Sequence, residues 1–344
     1  MRRRHAHHGR DRCRARRRGP LRGRGGMSGP ARWRIWIDRR PPPEVSVPDD
    51  VELTDDLAAA DGAVVGAEKS WDSDACRRLP RLKVVARAGI GYDNVAVAEC
   101  AAAGVAACNA PDAPTVSTAE HALALLLAVS KRVKPAERGL AAGLGDYRVN
   151  HRALELHGRT LGLLGCGRIG SRVGRYGAAL GMRVLVHDPH LDPARVAGTG
   201  EPVDLDGLWR DSDAVSLHAP ATAATRHIVD ARAVASMKPG VIIINCARGA
   251  LIDHDALLAG LESGHISGAG LDVTEPEPLP VGHPLLGRDD VIVTPHVASS
   301  TTAGMVRLLD QALDQAAQWL RGGSPEHLLD PAAADPAVDR RRVS

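Results

Sequence analysis

Three side chains with complementary chemistry follow three apolar runs near the C-terminal half of this chain. Arg248 comes just after Val241–Asn245, Glu277 lies five residues beyond Asp272, and His296 follows Val291–Thr294. An arginine can hold a carboxylate through two N–H groups and polarise a carbonyl. A histidine can take or give one proton near neutral pH. A glutamate beside it can orient the imidazole and favour its charged form. Together they suit proton transfer on a small acid.

Such residues need a scaffold that brings three loops to one place. Apolar runs that read as buried strands alternate with helical segments from Trp33 to Thr294, which implies parallel sheets with right-handed crossovers. Strands are expected at Trp33–Ile37, Ala63–Val65, Lys83–Arg87 and Val105–Cys108. Six more run from Thr160, at Thr160–Leu164, Arg183–His187, Ala214–His218, Val241–Asn245, Gly268–Asp272 and Val291–Thr294. In open sheets of this kind ligands bind at the carboxyl ends of the strands, where Arg248, Glu277 and His296 all fall.

The organising stretch is Gly158–Asp188. A strand ends at Gly165-Cys166-Gly167-Arg168-Ile169-Gly170, a small-residue helix follows to about Gly181, and a second strand ends at Asp188. The first glycine turns the chain, the second admits a pyrophosphate to the backbone, and the third lets helix pack on strand. The helix then offers free N–H groups and its positive end to the phosphates. Asp188 is placed to accept hydrogen bonds from the adenosine ribose hydroxyls, and it would repel a 2′-phosphate. A dinucleotide site preferring NAD over NADP is expected, with Arg195 the only nearby basic residue that could soften the preference.

The helix Thr115–Val133 is apolar nearly all round between Thr118 and Val129, so burial is expected against its own domain, a second domain or another subunit. Glu120 and His121 on it read as satisfied interior or interface polarity. With the arm Lys134–Arg159 it makes more apolar surface than one small domain buries, hence an expected homodimer. An amphipathic helix, Thr302–Leu320, ends at Gly322–Gly323, and Pro325–Leu329 could return to the edge of the first domain. No regulatory module is expected beyond it.

The formal charge of +3 hides an asymmetry. Residues 1–26 carry 11 arginines and one aspartate, while the other 318 residues hold 33 basic and 40 acidic groups. An acidic body argues against a nucleic-acid surface on the folded part. The first 26 residues are either a disordered basic extension, an arm for nucleic acid, or a stretch preceding the true start at Met27; the first or last is favoured because nothing apolar anchors them. The cluster His5, His7 and His8 has no fold behind it, and no metal site is expected. Six scattered cysteines without a C-x-x-C pair fit a reducing cytoplasm. No apolar run reaches membrane-spanning length.

Taken jointly, Gly89–Val95 (GIGYDNV), the glycine motif, Leu217–Pro220 (LHAP), residues 245–249 (NCARG), residues 271–278 (LDVTEPEP) and residues 294–301 (TPHVASST) resemble the D-isomer-specific 2-hydroxyacid dehydrogenases over roughly residues 60–334. The resemblance implies a doubly wound NAD-binding domain, 110–298, inserted in a smaller flavodoxin-like substrate domain formed by 27–109 and 299–334, with 335–344 a tail. It implies catalytic roles for Arg248, Glu277 and His296. Cofactor contacts would fall on Gly165, Gly167, Arg168, Ile169, Gly170, Asp188, His218, Pro220, Cys246, Ala247, Arg248, Asp272, His296 and Ser299. Substrate contacts would fall on Ala88, Gly89, Ile90, Gly91, Arg248 and His296. The implied reaction interconverts a small D-2-hydroxy acid and its 2-oxo acid.

Departures narrow the choice. Family members acting on phosphorylated acids carry an arginine after the strand read here as Ala63–Val65; this chain has Gly66-Ala67 instead, although Arg87 is nearby. Glu277 stands where formate dehydrogenases have glutamine, and PHVASST differs from the aromatic ending of D-lactate dehydrogenases. Two other readings share the fold: an NAD(H)-sensing corepressor-like scaffold, and an oxidoreductase on an unusual substrate such as phosphite.

Overall fold

A computed structural model describes residues 32–144, 147–190, 196 and 198–330. The basic stretch 1–26, Met27, Arg195 and the 335–344 tail lie outside the described residues.

The chain builds two sheets, each with every strand parallel to its neighbours. The smaller holds β1 (Trp33–Ile37), β2 (Val51–Thr54), β3 (Gly62–Val65), β4 (Val84–Arg87) and β5 (Ala106–Asn109), in the order β2-β1-β3-β4-β5. The larger holds β6 (Thr160–Leu164), β7 (Arg183–His187), β8 (Glu201–Pro202), β9 (Ala214–Leu217), β10 (Val241–Asn245), β11 (Ile266–Leu271) and β12 (Val291–Val293), in the order β12-β11-β10-β9-β6-β7-β8. Every residue of β6 and β10 is buried, as expected of strands covered by helices on both faces. The mixed α/β, doubly wound expectation holds.

Two strands escaped the sequence reading. β2 pairs on the outer side of β1, and only Val51 in it is buried, so it lacks an apolar run. β8 is two exposed residues ending in Pro202, and it makes the larger sheet seven-stranded rather than six-stranded. Between β2 and β3 the chain makes only a single 3₁₀ turn, Leu57–Ala59.

The long apolar helix stops at Ser130, and a second helix, Val133–Ala141, starts after Arg132 adopts φ 52°. Leu125 and Val129 lie over Gly270 and Gly268 of β11, where any side chain would collide with them. Its opposite side is open: Glu120 and Ala124 are exposed, so the helix is not buried all round within this chain. His121 does bond inward, as interior polarity.

The helix Thr302–Leu320 crosses back to the smaller sheet. Leu309, Leu313, Ala316 and Ala317 pack with Ile35, Val64, Val84 and Ala86 in one core. The segment after it reaches β5, where Leu329 N–H donates to Ala107 O at 2.8 Å and Asn109 N–H donates to His327 O at 3.2 Å. The returning edge segment expected at Pro325–Leu329 is therefore present, antiparallel to β5.

Candidate active site

The larger sheet reverses its strand order between β6 and β9, and the glycine turn sits at that break. Gly165 has φ 93°, and a Cβ there would come within 2.8 Å of the His218 carbonyl group, so only glycine fits between the two strand ends. A Cβ on Gly170 would strike the Gly165 carbonyl oxygen. Gly167 differs: an added Cβ would meet nothing within 4 Å, and as N-cap of the Arg168–Ala179 helix it makes no side-chain cap. An open approach to uncapped helical N–H groups suits a pyrophosphate, so these residues fit a dinucleotide. Asp188 accepts from Cys166 N–H at 2.9 Å and His190 N–H at 3.1 Å, tying the end of β7 to the turn.

Other residues expected at the cofactor are distributed along this rim. Ile169 is half-buried against the core of the larger unit, and Cys246 is buried, which pushes its thiol up. Burial holds the His218 imidazole down to about 4, neutral at physiological pH, while its Nε2 meets Ser216 Oγ at 2.9 Å. Pro220 O accepts from Thr225 Oγ1 at 2.6 Å, and Ser299 is half-buried before the Thr302–Leu320 helix. Arg168 turns elsewhere: its Nε donates to Asp112 at 2.5 Å, beside the end of β5.

Asp272 is buried and fully engaged. Its Oδ1 accepts from Thr294 Oγ1 at 2.6 Å and Val297 N–H at 2.9 Å, and its Oδ2 accepts from Ala298 N–H at 2.8 Å. His121 Nε2 lies 2.9 Å from the same threonine and 3.4 Å from the carboxylate. These bonds clamp the loop that carries His296, whose backbone stands at φ 54° and whose N–H donates to Asp272 O at 2.8 Å. His296 Nδ1 then meets Glu277 Oε1 at 2.5 Å, with both side chains about 40% exposed, open to a ligand. Burial pushes the Glu277 carboxyl up, but the hydrogen bond and charge of His296, with Thr274 and Arg248, outweigh it and hold the group below its ordinary value.

Arg248 is set by a residue absent from the expected site. Asn245, completely buried at the end of β10, accepts from Ala247 N–H at 3.0 Å and donates to Arg248 O at 2.8 Å. The guanidinium reaches across to the smaller sheet, where Nε donates to Asp93 Oδ2 at 2.9 Å. It lies against Gly91 so closely that a Cβ there would overlap it. Of Ala88–Gly91, the expected substrate cradle, Ala88 and Gly89 donate their N–H groups to Val65 O and Arg87 O, both at 2.9 Å. The N–H groups of Ile90 and Gly91 have no such partner among the described residues. Asp93 and Asn245 both sit inside quoted motifs, yet their pairings join distant loops and no local spacing announces them.

Two parallel α/β units facing each other, one bearing a glycine-rich dinucleotide turn, define the class: a nucleotide-dependent dehydrogenase. The sequence pattern of the D-isomer specific 2-hydroxyacid dehydrogenase NAD binding domain matches residues 123–298. The chain is 42% identical over 264 residues to D-3-phosphoglycerate dehydrogenase of Mycobacterium leprae, covering 76% of this chain and 50% of that one. It is 34% identical over 301 residues to glyoxylate reductase of Korarchaeum cryptofilum, 86% of this chain and 89% of that protein. D-lactate dehydrogenase from Aquifex aeolicus, solved with NAD and lactic acid, superposes with TM-score 0.72 at 28% identity over 84% of this chain and 96% of that one. The chain belongs to the D-isomer specific 2-hydroxyacid dehydrogenases. It spans about half the length of the phosphoglycerate dehydrogenases it matches.

Among the described residues no cluster of His, Cys, Asp or Glu could hold a metal ion, and no helix is long and apolar enough to cross a membrane.

Proposed function

We propose that this protein interconverts a D-2-hydroxy acid and its 2-oxo acid with NAD as cosubstrate. The observation that carries the reading is the 2.5 Å contact of His296 Nδ1 with Glu277, on the same side of the larger sheet as Arg248 and the glycine turn. NAD, when bound, supplies the hydride acceptor in one direction and the donor in the other. Glu277 holds Nδ1, so the opposite nitrogen of His296 faces outward as the acid or base. It takes the proton of the C2 hydroxyl in oxidation and returns a proton to the carbonyl oxygen in reduction. Arg248 holds the substrate carboxylate and polarises the developing carbonyl, and the free N–H groups of Ile90 and Gly91 complete the cradle. The five-stranded unit then serves as the substrate domain.

The protein works as a homodimer in the reducing cytoplasm. Val133, Leu140, Leu144 and Val149 on the arm after the apolar helix are exposed, which supports burial against a second copy. Light scattering at micromolar concentration would return twice the chain mass. The activity is tested by following NADH absorbance with a panel of 2-oxo acids and small oxoanions. Turnover confined to 2-oxo acids supports the reading, and turnover of phosphite alone would replace it.

A further inference from the structure

Two thiols meet in the core of the smaller sheet that faces away from the helix Thr302–Leu320. Cys76 on the helix Ser73–Arg77 and Cys100 on the helix Val97–Ala102 pack there with Ala63, Val65, Val85 and Ala107. Their sulfurs stand 3.3 Å apart, about 1.3 Å more than an S–S bond. Among the described residues five cysteines are free, and all five are buried. The hydrogen bond between the two sulfurs holds the Cys76 thiol below its ordinary value, against burial and the charges of Asp72 and Glu99. The same contact, with burial, pushes Cys100 up. Burial pushes up Cys108, Cys166 and Cys246 as well. Of the five, Cys76 is the one suited to react as a thiolate.

The pair is tied to the loop that carries Asp93. Trp71 O accepts from Ala96 N–H at 2.8 Å and from Cys100 Sγ at 3.6 Å, and Trp71 N–H donates to Asn94 O at 2.7 Å. Trp71 and Val95 form an isolated parallel bridge. Asn94 extends it by donating to Gly66 O at 2.9 Å and Lys69 O at 2.7 Å. One residue earlier, Asp93 accepts from Arg248 Nε at 2.9 Å. Drawing Cys100 toward Cys76 takes its thiol from Trp71 O and pulls on this bridge. The helix Ser73–Arg77 is only five residues long, with Asp74 and Arg77 exposed, so local opening admits a molecule as small as a peroxide.

We propose that Cys76 and Cys100 are a reversible oxidation site: a peroxide converts them to a disulfide, which loosens the Asp93 loop and lowers turnover. The Cys76 thiolate attacks one peroxide oxygen, the O–O bond breaks, and the other oxygen leaves as hydroxide, which takes up a proton to become water. Cys100 then attacks the sulfur of the resulting sulfenic acid. The S–S bond forms, the S–O bond breaks, and the departing hydroxide carries off the Cys100 proton as a second water. Two thiols thus give two electrons to one peroxide. In a reducing compartment such a disulfide is transient, and a dithiol reverses it by exchange. The effect on turnover rests on the 2-hydroxy acid reading above; the disulfide does not.

The test treats the full-length protein with hydrogen peroxide, blocks the remaining thiols with N-ethylmaleimide and maps the unreduced peptides by mass spectrometry. A cross-linked peptide pair joining Cys76 to Cys100, two hydrogens lighter than its parts and opened by dithiothreitol, is expected. Peroxide should lower kcat/KM with NADH and the best 2-oxo acid by at least fivefold, and dithiothreitol should restore it. Cys76→Ala and Cys100→Ala should start within twofold of wild type and lose no activity to the same dose. Hydrogen exchange of residues 89–96 reads the coupling without turnover: it should quicken in the oxidised protein and recover on reduction. That result supports the site even if every 2-oxo acid fails as substrate, which would instead sink the proposed reaction. A map without the cross-link, with Cys76 carried on to sulfinic acid or another cysteine oxidised first, overturns the proposal. So does a cross-link that leaves both kcat/KM and the exchange of 89–96 unchanged.

Discussion

The two rims that face each other across the site treat their polar groups differently. On the larger sheet Asp272, Asn245 and Asp188 are bonded to their own neighbouring loops. They hold shape: Asp272 fixes the His296 loop, Asn245 the Arg248 turn, Asp188 the glycine turn. On the smaller sheet Arg39 and Arg87 carry bonding capacity that the fold leaves over, and so do the N–H groups of Ile90 and Gly91. A buried group that is fully bonded rigidifies, whereas one left partly unpaired is costly unless a ligand completes it. The larger rim's polar groups are satisfied within the fold; several of the smaller rim's are not.

Removing the proposed acid–base group should have the largest effect. His296→Ala should lower turnover in both directions by about 10²–10⁴-fold, while fluorescence titration still shows NADH binding. Loss of NADH binding in this variant would mean that the residue belongs to the scaffold of its rim.

Breaking a clamp comes next. Asp272→Ala takes the acceptor from the N–H groups of Val297 and Ala298 and leaves Thr294 Oγ1 with His121 alone, at a cost of about 1–3 kcal/mol for the buried Ala298 N–H. Its thermal midpoint should fall by several degrees and kcat should fall with it, because the His296 loop loosens. An unchanged midpoint would show that the carboxylate is not structural and would weaken the contrast between the rims.

A smaller effect is expected at Asp188, which ties the glycine turn to the end of β7 and is proposed to meet the cofactor's ribose. Its charge beside an added 2′-phosphate is repulsive by about several kcal/mol at short range before screening. Wild type should therefore favour NADH over NADPH, and Asp188→Ala should shrink the ratio of kcat/KM by at least tenfold. Since the carboxylate also ties down Cys166 N–H, kcat/KM with NADH should fall in the variant as well. A ratio that does not move would remove Asp188 from the cofactor site.

Much of the larger rim was legible because its logic is local. β6, β7 and β10 have the bounds that their apolar runs suggest, and the glycine spacing marks the turn between β6 and its helix. Arg248, Glu277 and His296 are loops apart in sequence, yet parallel strands bring their ends to one edge, so strand counting sufficed to group them. The smaller rim was less legible because its logic is pairwise and distant. Nothing near Gly66 in the sequence says that Arg39, 27 residues earlier, would fill the space its missing side chain leaves. Asp93 meets Arg248 across 155 residues. The resemblance puts Arg168 at the cofactor, and nothing in the glycine motif announces the contact its side chain makes with Asp112. β2 and β8 were missed because neither carries an apolar run to announce it.

Glu277 and His296 are proposed to act as one proton-transfer unit, and Glu277→Gln separates the charge of the pair from its shape. Glu277 is held below its ordinary value and so is ionised at neutral pH. The substitution keeps the size and removes the negative charge that favours imidazolium. Oxidation needs the neutral imidazole and reduction needs the protonated one. The acid limb of the oxidation profile should therefore move to lower pH, and the alkaline limb of the reduction profile should move down with it, so that reduction at neutral pH suffers more than oxidation. Both limbs staying in place while NADH still binds would contradict the pairing and with it the proposed mechanism.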